Sequence, residues 1–345
     1  MSIEIVIGLP HLNEGPILAR ARRLQQPMLI SANALSSWSN RRGRREWTGW
    51  RLGQLANAYG LAALDLDSAG FVAMARYRGF PWSVDDYFHL ASAFPFRRIA
   101  SLDYCTETEV AADREEVLDR ISRTIRANRD CRERAADLGL LDRLMPVIQG
   151  RRPSDYERCI DALWLSVQPG TVIGVGSMCR REIAGPEGLI AVIEHLDRIL
   201  PAGVTLHAFG VKGSALPYLA PFSGRIASID SQAYGIAARR DAYRRRVSKS
   251  DALVAEHMER WTHQQLVRLT EPPRRLRHQA VRSCSSFPAN AWEAAIRHAR
   301  AEIRDLIESG DLDHDEITDA WIEQWAADIY RAPVGDRGGK GEAAG

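Results

Sequence analysis

The chain has 345 residues, 45% of them apolar and 26% charged, with a formal net charge of +2. That balance describes a soluble globular protein with length for one large domain such as a barrel, or for two medium ones. A charge of +2 is too small to argue for a nucleic-acid partner by itself, and no stretch is long and apolar enough to span a membrane.

In chain order, Ile3 to Leu9 reads as a strand running into a Pro-Gly turn region. The opening Met1-Ser2-Ile3-Glu4-Ile5 has no basic stretch followed by an apolar signal core, so a cytoplasmic location is expected. Pro27 to Ala32 is a stronger strand and is taken as the first of a barrel. The Arg- and Trp-rich stretch Ser36 to Arg51 reads as a long loop with helical parts, and a helix around Arg51 to Tyr59 leads to a strand ending at Asp67. The connection from Phe71 to Phe96, with Gly79, Pro81 and Pro95, has the length of a functional loop over a barrel mouth. After a strand closing on Asp103, Glu109 to Leu138 has helical spacing and many i,i+4 charge pairs.

Short units then alternate. Leu144 to Gly150 is a strand, Ser154 caps a helix to about Ser166, Thr171 to Gly176 is a strand and Gly185 to Leu200 a helix. Val204 to Gly210 and Arg225 to Asp230 are further strands. The alternation predicts a parallel α/β fold, and the strands counted from Met28 predict a (β/α)8 TIM-like barrel rather than an open sheet. The eighth strand is weakly suggested at Ala280 to Ser285. Helices follow at Arg239 to Arg246, Ser250 to Leu269, Ala289 to Ser309 and Asp315 to Tyr330. The expected division is a barrel over 1–290, C-terminal helices packed on it over 291–330, and a disordered Gly- and charge-rich tail over 331–345.

Three strands end on a carboxylate: Asp67, Asp103 and Asp230. The last two close near-copies, Arg98-Ile99-Ala100-Ser101-Leu102-Asp103 and Arg225-Ile226-Ala227-Ser228-Ile229-Asp230. In a parallel barrel the strand ends converge on one face, so these groups can meet. A single Asp after a strand more often caps a helix or makes an Asx-turn; three such ends weigh toward a site. Cys105, Cys131, Cys159, Cys179 and Cys284 are odd in number and scattered, which fits reduced thiols. None is spaced as in a structural zinc site, so no metal and no cofactor are expected. Arginines cluster near Trp38, Trp47 and Trp50, around Tyr243, and at Arg274, Arg275 and Arg277. Arg with interleaved aromatics suits phosphate contact and base stacking as well as it suits a solvated helix face.

Taken in order, the strand ends read Asp67-Ser68-Ala69-Gly70-Phe71, Asp103-Tyr104-Cys105-Thr106, Val147-Ile148-Gln149-Gly150, Ile173-Gly174-Val175-Gly176, Gly210-Val211-Lys212-Gly213 and Ile229-Asp230-Ser231. This order resembles the tRNA-guanine transglycosylase (queuine tRNA-ribosyltransferase) superfamily, over roughly residues 60–235. The resemblance implies a barrel that exchanges a purine in a polynucleotide for a 7-deazaguanine. It makes Asp230 the nucleophile and Asp67 the general acid/base, and places Asp103, Cys105, Gln149 and Gly176, with Ser68 beside them, at the purine edge. The chain departs from the superfamily at Ala69, where a second Gly is usual, at Val72, at Val175, at Ser177-Met178 and after Asp230, and it lacks the zinc module of three Cys and a His. These departures resemble the DpdA-like branch, which implies DNA rather than tRNA as polymer and a base such as 7-cyano-7-deazaguanine. A homodimer and accessory proteins that open the duplex are compatible with this reading.

The chemistry suits these residue types. Base exchange with retention requires a carboxylate to meet the oxocarbenium-like C1′ and a second acid/base to serve the departing and arriving bases. A guanine edge offers donors to a carboxylate such as Asp103 and an acceptor to the Gln149 amide or Gly176 N–H. Two other classes stay open: a Schiff-base barrel aldolase using Lys212 after a strand, and a non-catalytic nucleic-acid-binding paralogue. The histidines, including His89, His207 and His257, lack ligand spacing and read as surface or satisfied core residues.

Overall fold

The computed structural model describes residues 3–41, 44–107, 110–276 and 319–331, together with positions 292, 295, 296 and 299. Its strands are β1 (Glu4–Leu9), β2 (Met28–Ser31), β3 (Ser36–Arg41), β4 (Arg44–Trp50), β5 (Leu64–Asp67), β6 (Ile99–Ala100), β7 (Leu144–Met145), β8 (Val147–Ile148), β9 (Val172–Val175), β10 (Thr205–Ala208) and β11 (Ile226–Ser231). One sheet runs β7-β6-β5-β2-β1-β11-β10-β9-β8, parallel throughout. Its two ends, β7 and β8, are halves of a single strand divided at Pro146, so the sheet closes into a barrel of eight strand positions. Pro146 has no N–H to give the ladder. The buried Asn128 amide compensates, accepting from the Val147 N–H at 3.1 Å and donating to the Val147 carbonyl at 2.9 Å.

The missing eighth strand is therefore β1, between β2 and β11. The suggested Ala280–Ser285 strand lies outside the described residues, as does Cys284. Ser36–Arg51 is not a helical loop but the antiparallel hairpin β3-β4. Its tryptophans pack inward: Trp47 on Trp50 at 5.1 Å, Trp50 on Trp82 at 4.9 Å, and Trp38 stacked on Tyr77 at 4.5 Å. Trp38 stands opposite Trp47 across the two strands, a cross-strand aromatic pair of the kind that stabilises a hairpin.

The helices are α1 (Pro16–Leu24), α2 (Gly70–Tyr77), α3 (Val84–Ser92), α4 (Arg114–Asp137), α5 (Pro153–Ala162), α6 (Leu189–Ile199), α7 (Leu216–Leu219), α8 (Ala233–Arg245), α9 (Asp251–Leu269) and α10 (Asp319–Arg331). Caps fix several starts. Ser83 and Asp86 form a capping box on α3, Asp113 accepts from Glu115 and Glu116 N–H on α4, and Ser250 accepts from Leu253 N–H on α9. Ser154 does not cap α5; it lies inside the first turn, and Asp155 takes the Arg151 and Arg152 N–H groups instead.

The chain divides into two compact units, Met1–Gly235 with Ser250–Leu276, and Ile236–Lys249 with Arg277–Gly345. In the first, the barrel interior is layered. At the N-terminal ends of the strands Arg97 bridges Glu4 and buried Asp65. Ala100, Met145 and Val147 pack with Val172 and Phe209. The C-terminal ends carry polar groups. In the second unit Ala295, Ala299 and Ala326 pack with Ile296, Ile322 and Trp325.

Candidate active site

Parallel strands bring Asp67, Asp103, Gln149, Gly176 and Asp230 to the C-terminal mouth, where barrel enzymes carry their chemistry. Asp103 stands three residues beyond β6 and is buried. Its Oδ1 accepts from the Ser68 hydroxyl and its Oδ2 from the Gln149 amide, both at 2.5 Å. Burial lifts the Asp103 pKa above the usual carboxylate range, and the Ser68 and Gln149 donors pull it partly back. Each carboxylate oxygen still has a second lone pair for a donor on a base edge.

The neighbouring backbone is shaped around this triplet. A Cβ on Gly70 would stand 2.6 Å from the Asp103 carbonyl oxygen and 2.7 Å from Oδ1. A Cβ on Gly176 would stand 2.1 Å from the Gln149 amide nitrogen, so Gly176 makes room for Gln149. The Gln149 Oε1 accepts from Ser177 at 2.6 Å, and Ser177 Oγ accepts from the Thr106 N–H at 2.8 Å. Ser177 adopts φ 55° to do so. Arg181 ties these loops together through the carbonyls of Gly150, Arg151, Ser177 and Glu187. Cys105 is buried, and its carbonyl accepts from Arg120 at 2.8 Å.

Asp67 ends β5, and its Oδ2 accepts from the Ala69 N–H at 3.0 Å. Burial first, then the charges of Asp103 and Asp230, push its pKa up to about 7. Three carboxylates distant in sequence thus share one electrostatic environment. Asp230 belongs to β11 and is buried, with Oδ1 accepting from the Gly210 N–H at 2.9 Å. Gly210 aims that N–H from φ 66°, and a Cβ there would strike Cys179 at 2.7 Å, so only glycine fits both demands.

One neighbour of Asp230 had been read in the sequence only as a surface or satisfied core residue. His207 is fully buried, with Nε2 3.4 Å from Asp230 Oδ1 and Nδ1 2.8 Å from Ser228 Oγ. Its inward position in β10, on the same parity as Phe209, was the available signal. Lys212, the Schiff-base candidate, is exposed; a catalytic imine lysine needs a sheltered pocket. Near the mouth, Tyr234 and Met178 are core, and Tyr104 has Arg123 over its ring at 4.1 Å. Among the described residues no group of three His, Cys, Asp or Glu is placed to hold a metal ion, and no helix is long and apolar enough to cross a membrane.

The sequence profile of DpdA, DeoxyPurine in DNA protein A, matches residues 35–295. The chain belongs to the DpdA family. At the family level this implies a transglycosylase-type enzyme of DNA 7-deazaguanine modification. No curated protein matches the chain. Among solved structures, the YdjI aldolase from Escherichia coli K12 aligns with 11% identity over 76% of this chain and 90% of its own, at a TM-score of 0.40. So distant a likeness says nothing of the reaction, and the aldolase activity is not carried to this DpdA member.

Proposed function

We propose that this protein exchanges guanine in DNA for a 7-deazaguanine such as 7-cyano-7-deazaguanine, through a covalent glycosyl ester on Asp230. The observation that carries the proposal is the convergence of Asp67, Asp103 and Asp230 at one barrel mouth, each in a different environment. The family match supports DNA as the polymer.

In this reading the target nucleotide is met unpaired or flipped into the mouth. Asp103, held by Ser68 and Gln149, accepts from the base edge; Gln149, Cys105 and Gly176 line that edge. A carboxylate oxygen of Asp230 forms a bond to C1′ as the C1′–N9 bond breaks, and the base leaves with the electron pair. Asp67, with a pKa near neutrality, gives a proton to the departing guanine and takes one from N9 of the incoming base, which then displaces Asp230.

The test is incubation of the purified protein with guanine-containing DNA or tRNA and 7-cyano-7-deazaguanine, with nucleoside mass spectrometry. Deazapurine in DNA is the expected product. Its appearance in tRNA alone would overturn the choice of polymer, and borohydride trapping on Lys212 with a carbonyl substrate would favour the aldolase.

A further inference from the structure

A line of polar groups, half-buried at Arg98 and buried beyond it, leads through the barrel to Asp230. Arg98 Nη1 donates to Ser228 Oγ at 2.8 Å, Ser228 Oγ meets His207 Nδ1 at 2.8 Å, and His207 Nε2 faces Asp230 Oδ1 at 3.4 Å. Arginine can only donate. Ser228 therefore accepts from Arg98, and its own proton finds its acceptor in His207 Nδ1, no other acceptor being placed on it among the described residues. That fixes the neutral imidazole with its proton on Nε2, directed at Asp230. The 3.4 Å separation is long for a hydrogen bond, Nε2 has no other partner among the described residues, and such contacts commonly tighten once substrate is bound.

Oδ1 thus faces two donors, the Gly210 N–H and His207 Nε2, whereas no donor is placed on Oδ2 among the described residues. Resting on the reading of Asp230 as nucleophile, we infer that His207 is a positioning residue that holds Oδ1 and leaves Oδ2 as the oxygen that attacks C1′. In the step itself an Oδ2 lone pair forms the bond to C1′, the C1′–N9 pair goes to the leaving base, and Oδ1 becomes the ester carbonyl oxygen. His207 transfers no proton; it orients the carboxylate and remains bonded to the carbonyl oxygen of the ester.

The experiment measures single-turnover formation of the covalent adduct with guanine-containing DNA, and the DNA concentration for half-saturation, for wild type, His207→Phe, His207→Gln, Ser228→Ala and Asp230→Asn. His207→Phe should slow adduct formation about 100-fold with half-saturation nearly unchanged, the pattern of a lost orienting contact. Glutamine, which places an amide N–H near the old Nε2, should recover at least about a tenfold share of that loss. Ser228→Ala should fall between the two. Adduct formation by His207→Phe at the wild-type rate, or equal loss in Phe and Gln variants that melt like wild type, would overturn the inference. If His207→Phe does not fold, the Gln and Ala variants decide: wild-type rates in both would overturn it, and a slower Ser228→Ala with a partly active His207→Gln would support it. An adduct in Asp230→Asn would instead defeat the nucleophile assignment; its absence beside a fast His207→Phe would defeat the His207 role alone.

Discussion

The two near-copies Arg98–Asp103 and Arg225–Asp230 are laid into the barrel on opposite faces. In the first copy Arg98 and Ala100 point inward, Ala100 packing with Met145 and Val147, while Ser101 points out to Asn128 of α4 at 2.7 Å. In the second, Ser228 points inward to His207, and Arg225 points out to Asp197 and to the carbonyls of Leu200, Pro201 and Val204. The same six-residue plan is shifted by one position, which exchanges every side chain between core and helix layer. Asp230 keeps the inward parity of its strand, whereas Asp103 reaches the mouth only because β6 stops at Ala100 and the chain turns. Similar words therefore produce different chemistry: Asp103 has both oxygens engaged by short bonds, and Asp230 has one.

The sharpest way to break this comparison is to neutralise each carboxylate. Asp230→Asn should abolish the covalent adduct and lower exchange by about 10³-fold or more, while DNA still binds. Asp103→Asn should still form adduct, but affinity for the correct base should fall about 100-fold and selection among purines should relax. Denaturing gels and competition with other purines read both outcomes; the reverse pattern would exchange the two roles.

The paired serines sharpen it further. Ser101→Ala removes the hydroxyl that serves Asn128 and the Val147 N–H, so it should cost about 1–2 kcal/mol of stability by denaturant titration with the chemical step unchanged. Ser228→Ala, at the equivalent place in the other copy, should slow adduct formation more than it lowers stability.

The barrel was legible in the sequence because hydrophobic runs of strand length alternated with helical spacing, and the order of strand ends carried Asp67, Asp103 and Asp230. The inversion between the copies was not legible, since register depends on where each strand is interrupted and what packs outside it. β1 was read as a strand yet left out of the barrel, because position at the chain start says nothing about pairing. The place of His207 beside Asp230 was not legible, because a lone histidine in a strand looks like core until the residue opposite is known. The hairpin was misread because its arginines obscured the cross-strand tryptophan pattern.

Two further effects concern Asp67 and its turn. Its pKa of about 7 in the fold against 3.8 as the ordinary value means that the folded state holds this proton more tightly than the unfolded chain. The resulting stability is full below pH 4 and is lost as pH rises through 7. Asp67→Asn, which does not ionise, should match wild type near pH 4 and exceed it at pH 8 by about 2–4 kcal/mol, while guanine departure loses its dependence on pH near 7. Thermal melts at the two pH values check the sign. Ala69 occupies a left-handed turn, φ 70°, the conformation that favours glycine. Ala69→Gly should stabilise the fold by about 0.5–1 kcal/mol without altering base choice.

The most direct test of the account is to locate the sugar. Protein trapped with guanine-containing DNA, digested with nuclease and protease and mapped by mass spectrometry, should carry deoxyribose mass on the peptide containing Asp230 and at that residue. Deoxyribose on Asp103 or Asp67, or exchange of base into DNA with no sugar on any carboxylate under trapping conditions, would contradict it.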